Sequence, residues 1–469
     1  MTPGPLQPLL DRQRAAFLRD GAPSRRERQA HLRTLEDAVF AWRKRLYLAV
    51  EADFGSRAWF KTIGSEVVPT LSYIRYFRRN LRRFMAPEWR PASLHSPFAR
   101  IRVVPQPLGV VGVISSWNYP VMLALMPAAA ALAAGNRVLV KVSEHAPATG
   151  AALRELLAGA FPPERVAVVE GGPEVGEAFS RLPLDHLFFT GSSAIARHIV
   201  RASAEHLVPL TLELGGKSPA ILGAEKDLES AAERVAFSKL FNAGQSCVAV
   251  DYALVPRGLA ARFAERVAHH ARRHYPGIAD NPDYTAIITD RQFRRLEGLL
   301  ADARARGATL VETHPGERPD PVRRLLPPVL LPGAAPDLAL MGEEIFGPIL
   351  PILEYGSLDD AIAFVNARPR PLTLHWFGGA AGRKALEERT TSGQLVVNDV
   401  LWHFVQEEMR FGGVGESGMG AYHGPEGFFT FSHRKSVFIQ PRWNPARLVT
   451  PPFPRGGWKD WVLKFFLRY

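Results

Sequence analysis

The chain has 469 residues, 46% hydrophobic and 22% charged, and carries a formal net charge of +12. That balance belongs to a soluble globular protein, excludes a disordered or fibrous one, and exceeds what a single hydrophobic core organises, so two or three units are expected. No apolar run of about 20 residues spans a bilayer, and Met1-Thr2-Pro3-Gly4-Pro5 opens no export leader, which makes the cytoplasm the expected compartment.

From Pro8 to Met85 apolar residues recur every three or four positions among Arg and Glu, predicting helices. Within this region Arg75-Tyr76-Phe77-Arg78-Arg79-Asn80-Leu81-Arg82-Arg83-Phe84 reads in two ways. It lines a groove for the phosphates of a nucleic acid, or it is a helix with one packed apolar side and solvated arginines. No zinc-ligand spacing or nucleic-acid module accompanies it, so neither a metal nor a nucleic acid is expected. Strand-like runs follow at Ile101–Val104, Val110–Ile114, Arg137–Val142, Val166–Val169 and Leu187–Phe189. Helical segments at Val121–Ala134 and Ala148–Ala160 lie between the second, third and fourth of these runs, and another follows the fifth, from Ser193 through Val200. This alternation predicts parallel strands with crossover helices. It resumes after Leu210, with strands at Ala220–Leu222 and Tyr252–Val255 around a helix from Leu228 to Phe241, so two successive α/β units are expected. The stretch from Gly316 to Pro336 reads as surface loop with a strand near Val329–Leu331, and Ser436–Ile439 as a late strand.

The single cysteine, Cys247, lies in Asn242-Ala243-Gly244-Gln245-Ser246-Cys247-Val248-Ala249. Alone in the chain it has no disulfide partner within it; it is a small buried hydrophobe or a nucleophile, and the small residues around it favour close approach by a substrate. Five polar segments fall at predicted strand ends or loops: Trp117-Asn118-Tyr119-Pro120, Lys141-Val142-Ser143-Glu144, Phe189-Thr190-Gly191-Ser192, Glu213-Leu214-Gly215-Gly216-Lys217, and Glu343-Glu344-Ile345-Phe346-Gly347-Pro348. In open α/β sheets ligands bind beyond the carboxyl ends of strands, so these segments are expected to converge on one crevice with Cys247.

With these motifs in order from residue 117 to about 420, the chain resembles the aldehyde dehydrogenase superfamily. Phe411-Gly412-Gly413-Val414-Gly415-Glu416-Ser417-Gly418-Met419-Gly420-Ala421-Tyr422-His423-Gly424 is similar to the class 3 and coniferyl aldehyde dehydrogenase branch. The resemblance implies an α/β protein of two doubly wound parallel-sheet domains plus a small β oligomerisation arm. Residues 1–85 and 105–210 would form a dinucleotide-binding domain, 211–420 a catalytic domain, 86–104 and 421–445 the arm of a homodimer, and 446–469 a tail. It also implies NAD(P)-dependent oxidation of a hydrophobic, aromatic or medium-to-long aliphatic aldehyde to its acid. In that scheme Cys247 is the nucleophile, Asn118 an oxyanion donor, and Glu213 the base that activates the hydrolytic water. Trp117, Lys141, Glu144, Gly191, Ser192, Glu344 and Phe346 would hold NAD or NADP.

Three positions depart from the family pattern: Val142 and Val250 stand where proline is usual, and Ala196 where glycine is usual. They leave the choice between NAD and NADP, and the substrate range, open. The alternatives are an acylating or phosphorylating semialdehyde-type reductase of the same fold, or a relative that binds nucleic acid or membrane without turnover. The tail from Trp458 to Tyr469 has helical apolar spacing but is too short to span a bilayer. It is either an interfacial anchor, making the protein peripheral to a membrane, or a segment folded back over the subunit.

Overall fold

The computed structural model describes residues 6–93, 96, 98–223, 228–442, 450–451, 456–458, 460, 461, 464 and 467. The helical interpretation of the tail falls mostly outside these residues. Four N-terminal helices come first: α1 (Leu6–Asp20), α2 (Arg25–Phe54), α3 (Trp59–Thr62) and α4 (Val68–Met85), the last two joined by a π-helical turn, Ile63–Val67. Ser24 and Glu27 form a capping box at the start of α2. The basic stretch is the C-terminal part of α4, with Tyr76, Phe77, Leu81 and Phe84 buried. Arg75 and Arg78 pair with Glu36, and Arg83 with Glu408, so the packed-helix alternative holds and those arginines are engaged.

Two strands follow, β1 (Glu88–Arg90) and β2 (Arg100–Pro107), and then the first α/β unit. It comprises β3 (Val110–Ile114), α5 (Pro120–Ala134), β4 (Arg137–Lys141), α6 (Pro147–Ala160), β5 (Val166–Val169), α7 (Pro173–Ser180), β6 (His186–Thr190), α8 (Ser193–Ser203) and β7 (Leu210–Glu213). The second unit has β8 (Pro219–Leu222), α9 (Leu228–Leu240), β9 (Tyr252–Pro256), α10 (Ala260–His274), α11 (Asp290–Ala305), β10 (Val311–Glu312) and β11 (Val329–Pro332). It continues through α12 (Ala339–Gly342), β12 (Ile349–Tyr355), α13 (Leu358–Asn366), β13 (Thr373–Phe377), α14 (Ala380–Arg389) and β14 (Gln394–Val397). The last elements are β15 (Gly418–Met419), α15 (Gly424–Phe429) and β16 (Ser432–Ile439).

These strands make two mostly parallel sheets, ordered β15-β7-β6-β3-β4-β5 and β10-β11-β12-β9-β8-β13-β14, and an antiparallel arm, β1-β2-β16. Only β15 and β10 run antiparallel in the two main sheets. The fold is thus α/β with two doubly wound sheets and a β arm. Glu213, which the sequence reading assigned to the opening of the second unit, instead ends the last parallel strand of the first. No helix separates β7 from β8, so the chain passes straight from the carboxyl edge of one sheet to the amino edge of the next.

Every residue of α5 is buried, which explains its Ala- and Leu-rich sequence without a polar face. It packs against β3 and β4 on one side and α2, α4 and α15 on the other. Among the described residues no helix is long and apolar enough to cross a membrane.

Candidate active site

In the first sheet the strand order turns back between β3 and β6, the position at which a crevice opens beyond the carboxyl ends. The Trp117–Asn118 loop follows β3, Lys141 ends β4, Gly191 and Ser192 follow β6, and Glu213 ends β7. Cys247 precedes β9 and Glu344 precedes β12, so both come from the amino edge of the second sheet. The site lies where the two edges meet.

The cysteine loop is held in an unusual backbone. Asn242, Ala243 and Gly244 have φ of 57°, 51° and 73°. Such a run of left-handed residues persists only where its surroundings over-determine it. Gln245 supplies the clamp: its Nε2 donates to Asn242 O and Ala286 O, both at 3.0 Å, and its Oε1 accepts from Ile288 N at 3.0 Å. A Cβ on Gly244 would fall 2.4 Å from Gly347 O, so only glycine lets this loop lie against the 343–348 loop.

Asn118 is 2% exposed and bound directly to the cysteine loop. Its Nδ2 donates to Gln245 O at 3.2 Å, and its carbonyl accepts from Asn242 Nδ2 at 3.2 Å. One amide N–H is thereby spent on orientation, and the other remains for a ligand. The Asn118 carbonyl also accepts from Arg57 Nη1 at 2.9 Å. Arg57 pairs at 2.8 Å with Glu66 on the π-helical turn, and both side chains are fully buried. The other Glu66 oxygen accepts from Val121 N and Met122 N at the start of α5. Sequence reading passed over Arg57, Glu66, Asn242 and Gln245.

Cys247 is half-buried, and burial followed by the Glu344 and Glu213 carboxylates pushes its thiol up to about 12. In the chain alone it is therefore a thiol, and positive potential is needed to make it a thiolate. Glu213 is 4% exposed, and neither of its oxygens has a hydrogen-bond partner among the described residues. Burial raises its pKa well above the usual carboxylate range, opposed by the Arg410 charge. Such a carboxylate can take a proton from water near neutral pH.

The remaining residues form a cradle. Gly215 carries no Cβ, which would sit 2.1 Å from Glu344 Oε2. Burial and the Asp251 charge push Glu344 up to about 8. Its loop is anchored by Asp251, which accepts from Ile345 N at 2.8 Å and pairs with Lys217. The Trp117 and Phe346 rings meet edge to face at 5.4 Å. Ser192 caps α8, the free N-terminal amides of which suit a phosphate. Lys141 and Glu144, at the end of β4 and just beyond it, pair with each other at 2.8 Å.

Ser115 Oγ and Thr190 Oγ1, beyond β3 and at the end of β6, are buried without hydrogen-bond partners among the described residues. Orphaned polar atoms on both sides of the crevice, together with the glycine-lined approach, fit a dinucleotide. Two of the three departures have local explanations. The Val142 N–H donates to Val169 O at 3.1 Å and the Val250 N–H to Ser238 Oγ at 2.9 Å, bonds that proline lacks.

Residues 10–437 match the model of the aldehyde dehydrogenase family. Over 464 residues the chain is 47% identical to a probable coniferyl aldehyde dehydrogenase of Pseudomonas aeruginosa, covering 99% of this chain and 96% of that one. The substrate-bound AldH of Staphylococcus aureus superposes with a TM-score of 0.93 at 33% identity, covering 98% of this chain and 99% of that one. An aldehyde dehydrogenase of Mycobacterium tuberculosis complexed with NAD+ gives 0.82 at 30% identity, covering 92% and 89%. The chain therefore belongs to the aldehyde dehydrogenase family, as an NAD(P)-dependent oxidoreductase.

Proposed function

We propose that this protein oxidises an aromatic aldehyde to its acid through a thiohemiacetal and then a thioester on Cys247. The observation that carries the reading is a lone thiol under the influence of a buried carboxylate, Glu213, both oxygens of which are unpartnered among the described residues. The Cys247 sulfur adds to the carbonyl carbon, and the second N–H of Asn118, with the Cys247 backbone N–H, stabilises the resulting oxyanion. Glu213 then takes a proton from the water that cleaves the thioester. Trp117, Lys141, Glu144, Gly191, Ser192, Glu344 and Phe346 would hold the dinucleotide, which would supply the hydride acceptor. Glu144 disfavours a 2′-phosphate by charge, which makes NAD the preferred form over NADP.

An aromatic substrate is supported by the coniferyl aldehyde dehydrogenase relative and by the rings packed around the site. Phe411 lies edge to face with Tyr422, and Phe404 and Tyr422 both pack on His423. Gly418, four residues before Tyr422, pairs with Glu213 across β15 and β7, which supports a position for this cluster near the chemistry. The division into 1–85 with 105–210, 211–420, and an arm of 86–104 with 421–445 is part of the same proposal, as is a homodimer in which each arm extends the partner's sheet. A peripheral membrane contact through 456–469 has no support from the described residues. Glu213 argues against a coenzyme A- or phosphate-dependent reductase, because its water-activating position has no use there.

The test is the absorbance of reduced cofactor with cinnamyl-type, benzylic and long-chain aldehydes, each with NAD and NADP. Turnover on aryl aldehydes with NAD, lost in Cys247→Ala, is expected; turnover that survives in Cys247→Ala overturns the assignment of the nucleophile. Asn118→Ala should lower kcat by about 10²–10³-fold, the loss of one oxyanion donor, with KM much less affected.

A further inference from the structure

In the second unit, α9 and α10 pack side by side. Glu233 on α9 and His270 and His274 on α10 each offer one ligand atom, and these atoms all lie within 4.8 Å of one another. The two histidines are four residues apart, which places them on one face of the helix. The geometry points to a binding site for one divalent transition-metal ion, of the zinc, nickel or copper type, bridging α9 and α10.

The surrounding residues are arranged as supports for such a site. Glu229, one turn before Glu233, meets His270 Nε2 at 2.8 Å. It is itself gripped by the Arg266 guanidinium through two contacts of 2.6 Å, which fixes the carboxylate and neutralises the nearby arginine. A carboxylate on one imidazole nitrogen fixes the ring and makes the other nitrogen a better donor to a metal. That other nitrogen, His270 Nδ1, is buried without a hydrogen-bond partner among the described residues, on a side chain 3% exposed. A lone pair withdrawn from water and left unpaired is unfavourable, and a metal ion would satisfy it.

Glu233 and His274 are half-buried, so an ion has a path from solvent, and water can complete its coordination. Donors on one tetrahedral zinc are separated by about 3.3 Å, so the half-buried side chains need to close by at most about 1.5 Å. Two imidazoles and one carboxylate suit borderline ions; calcium and magnesium require oxygen ligands throughout. The nearby Arg234 is engaged by Asp399 at 2.8 Å, which reduces its opposition to a cation. Because α9 runs on into the 241–247 loop, the ion would tie the helix that delivers Cys247 to its neighbour.

The test uses the untagged full-length chain carrying Cys247→Ala, which removes the competing thiol, after dialysis against a chelator. Zn²⁺ is titrated in competition with a chromophoric chelator, and the melting temperature is recorded with and without the ion. One ion per chain and a raised melting temperature are expected. His274→Ala and Glu233→Gln should each weaken binding at least ~10-fold and abolish the thermal shift, and Glu229→Gln should weaken it ~10-fold or more through the freed ring. Circular dichroism at the parent's intensity establishes that the variants are folded. No uptake by the parent, or equal affinity in His274→Ala and Glu233→Gln, overturns the site.

Discussion

Glu213→Gln is expected to give a burst of about one equivalent of reduced cofactor per subunit and then to stall, with steady-state turnover reduced by roughly 10²–10⁴-fold. The amide keeps the size of the carboxylate but cannot take a proton from water, so the thioester forms and persists. In the parent the carboxyl group must be ionised to act, and burial raises its pKa. Steady-state turnover should therefore rise with pH through that elevated value, whereas the burst amplitude should persist on its acid side. Stability runs the other way. A carboxyl group whose pKa is raised by folding stabilises the fold below its ordinary value, near 4.5, and that contribution disappears as pH rises through the folded pKa. On the alkaline side of that elevated value Glu213→Gln should accordingly melt above the parent, because it no longer buries an unpaired charge. Rapid-mixing absorbance and melting curves check both effects. A variant without a burst would mean that Glu213 acts before the thioester forms.

The alternation of strands and helices was legible in part because parallel strands buried on both faces are short apolar runs: each run named from Val110 to Leu331 met its strand within a residue or two, Ser436–Ile439 caught only the second half of β16, and β12, β13 and β14 went unread. The motif residues were legible as polar groups at strand ends. Their supports were not. Arg57 and Glu66 look in sequence like ordinary charges on a solvated helix, and only the π-helical turn at Ile63–Val67 and the packing of α5 bury them. Gln245 and Asn242 sat in plain view beside Cys247, but their neighbours drew attention for small size, while their own hydrogen-bonding capacity went unread. Glu213 was assigned to the wrong sheet because a strand of four residues with no helix after it gives no sign of which neighbour it joins. The spacing of His270 and His274 is a signal that sequence could have offered, yet Glu233 joins them only through the packing of α9 on α10.

The buried pair Arg57–Glu66 separates two roles that a single substitution confounds. Removing one partner strands the other charge away from water, so Arg57→Met should destabilise the fold by about 3–5 kcal/mol. Replacing both with apolar residues, as in Arg57→Met with Glu66→Leu, removes that desolvation penalty and should restore most of the stability. The start of α5 then loses its acceptor for two backbone amides, a smaller effect of about 1 kcal/mol each. What the double variant cannot restore is the hydrogen bond from Arg57 to the Asn118 carbonyl, which leaves Asn242 as the remaining side-chain donor to that oxygen among the described residues. If the pair positions Asn118, the double variant should fold stably yet lose about tenfold in kcat, with KM much less affected, since the misplaced donor matters most when negative charge develops on the substrate oxygen. Denaturant unfolding together with steady-state kinetics on the two variants decides the matter. A stable double variant with the parent's kcat would reduce the pair to a structural filler.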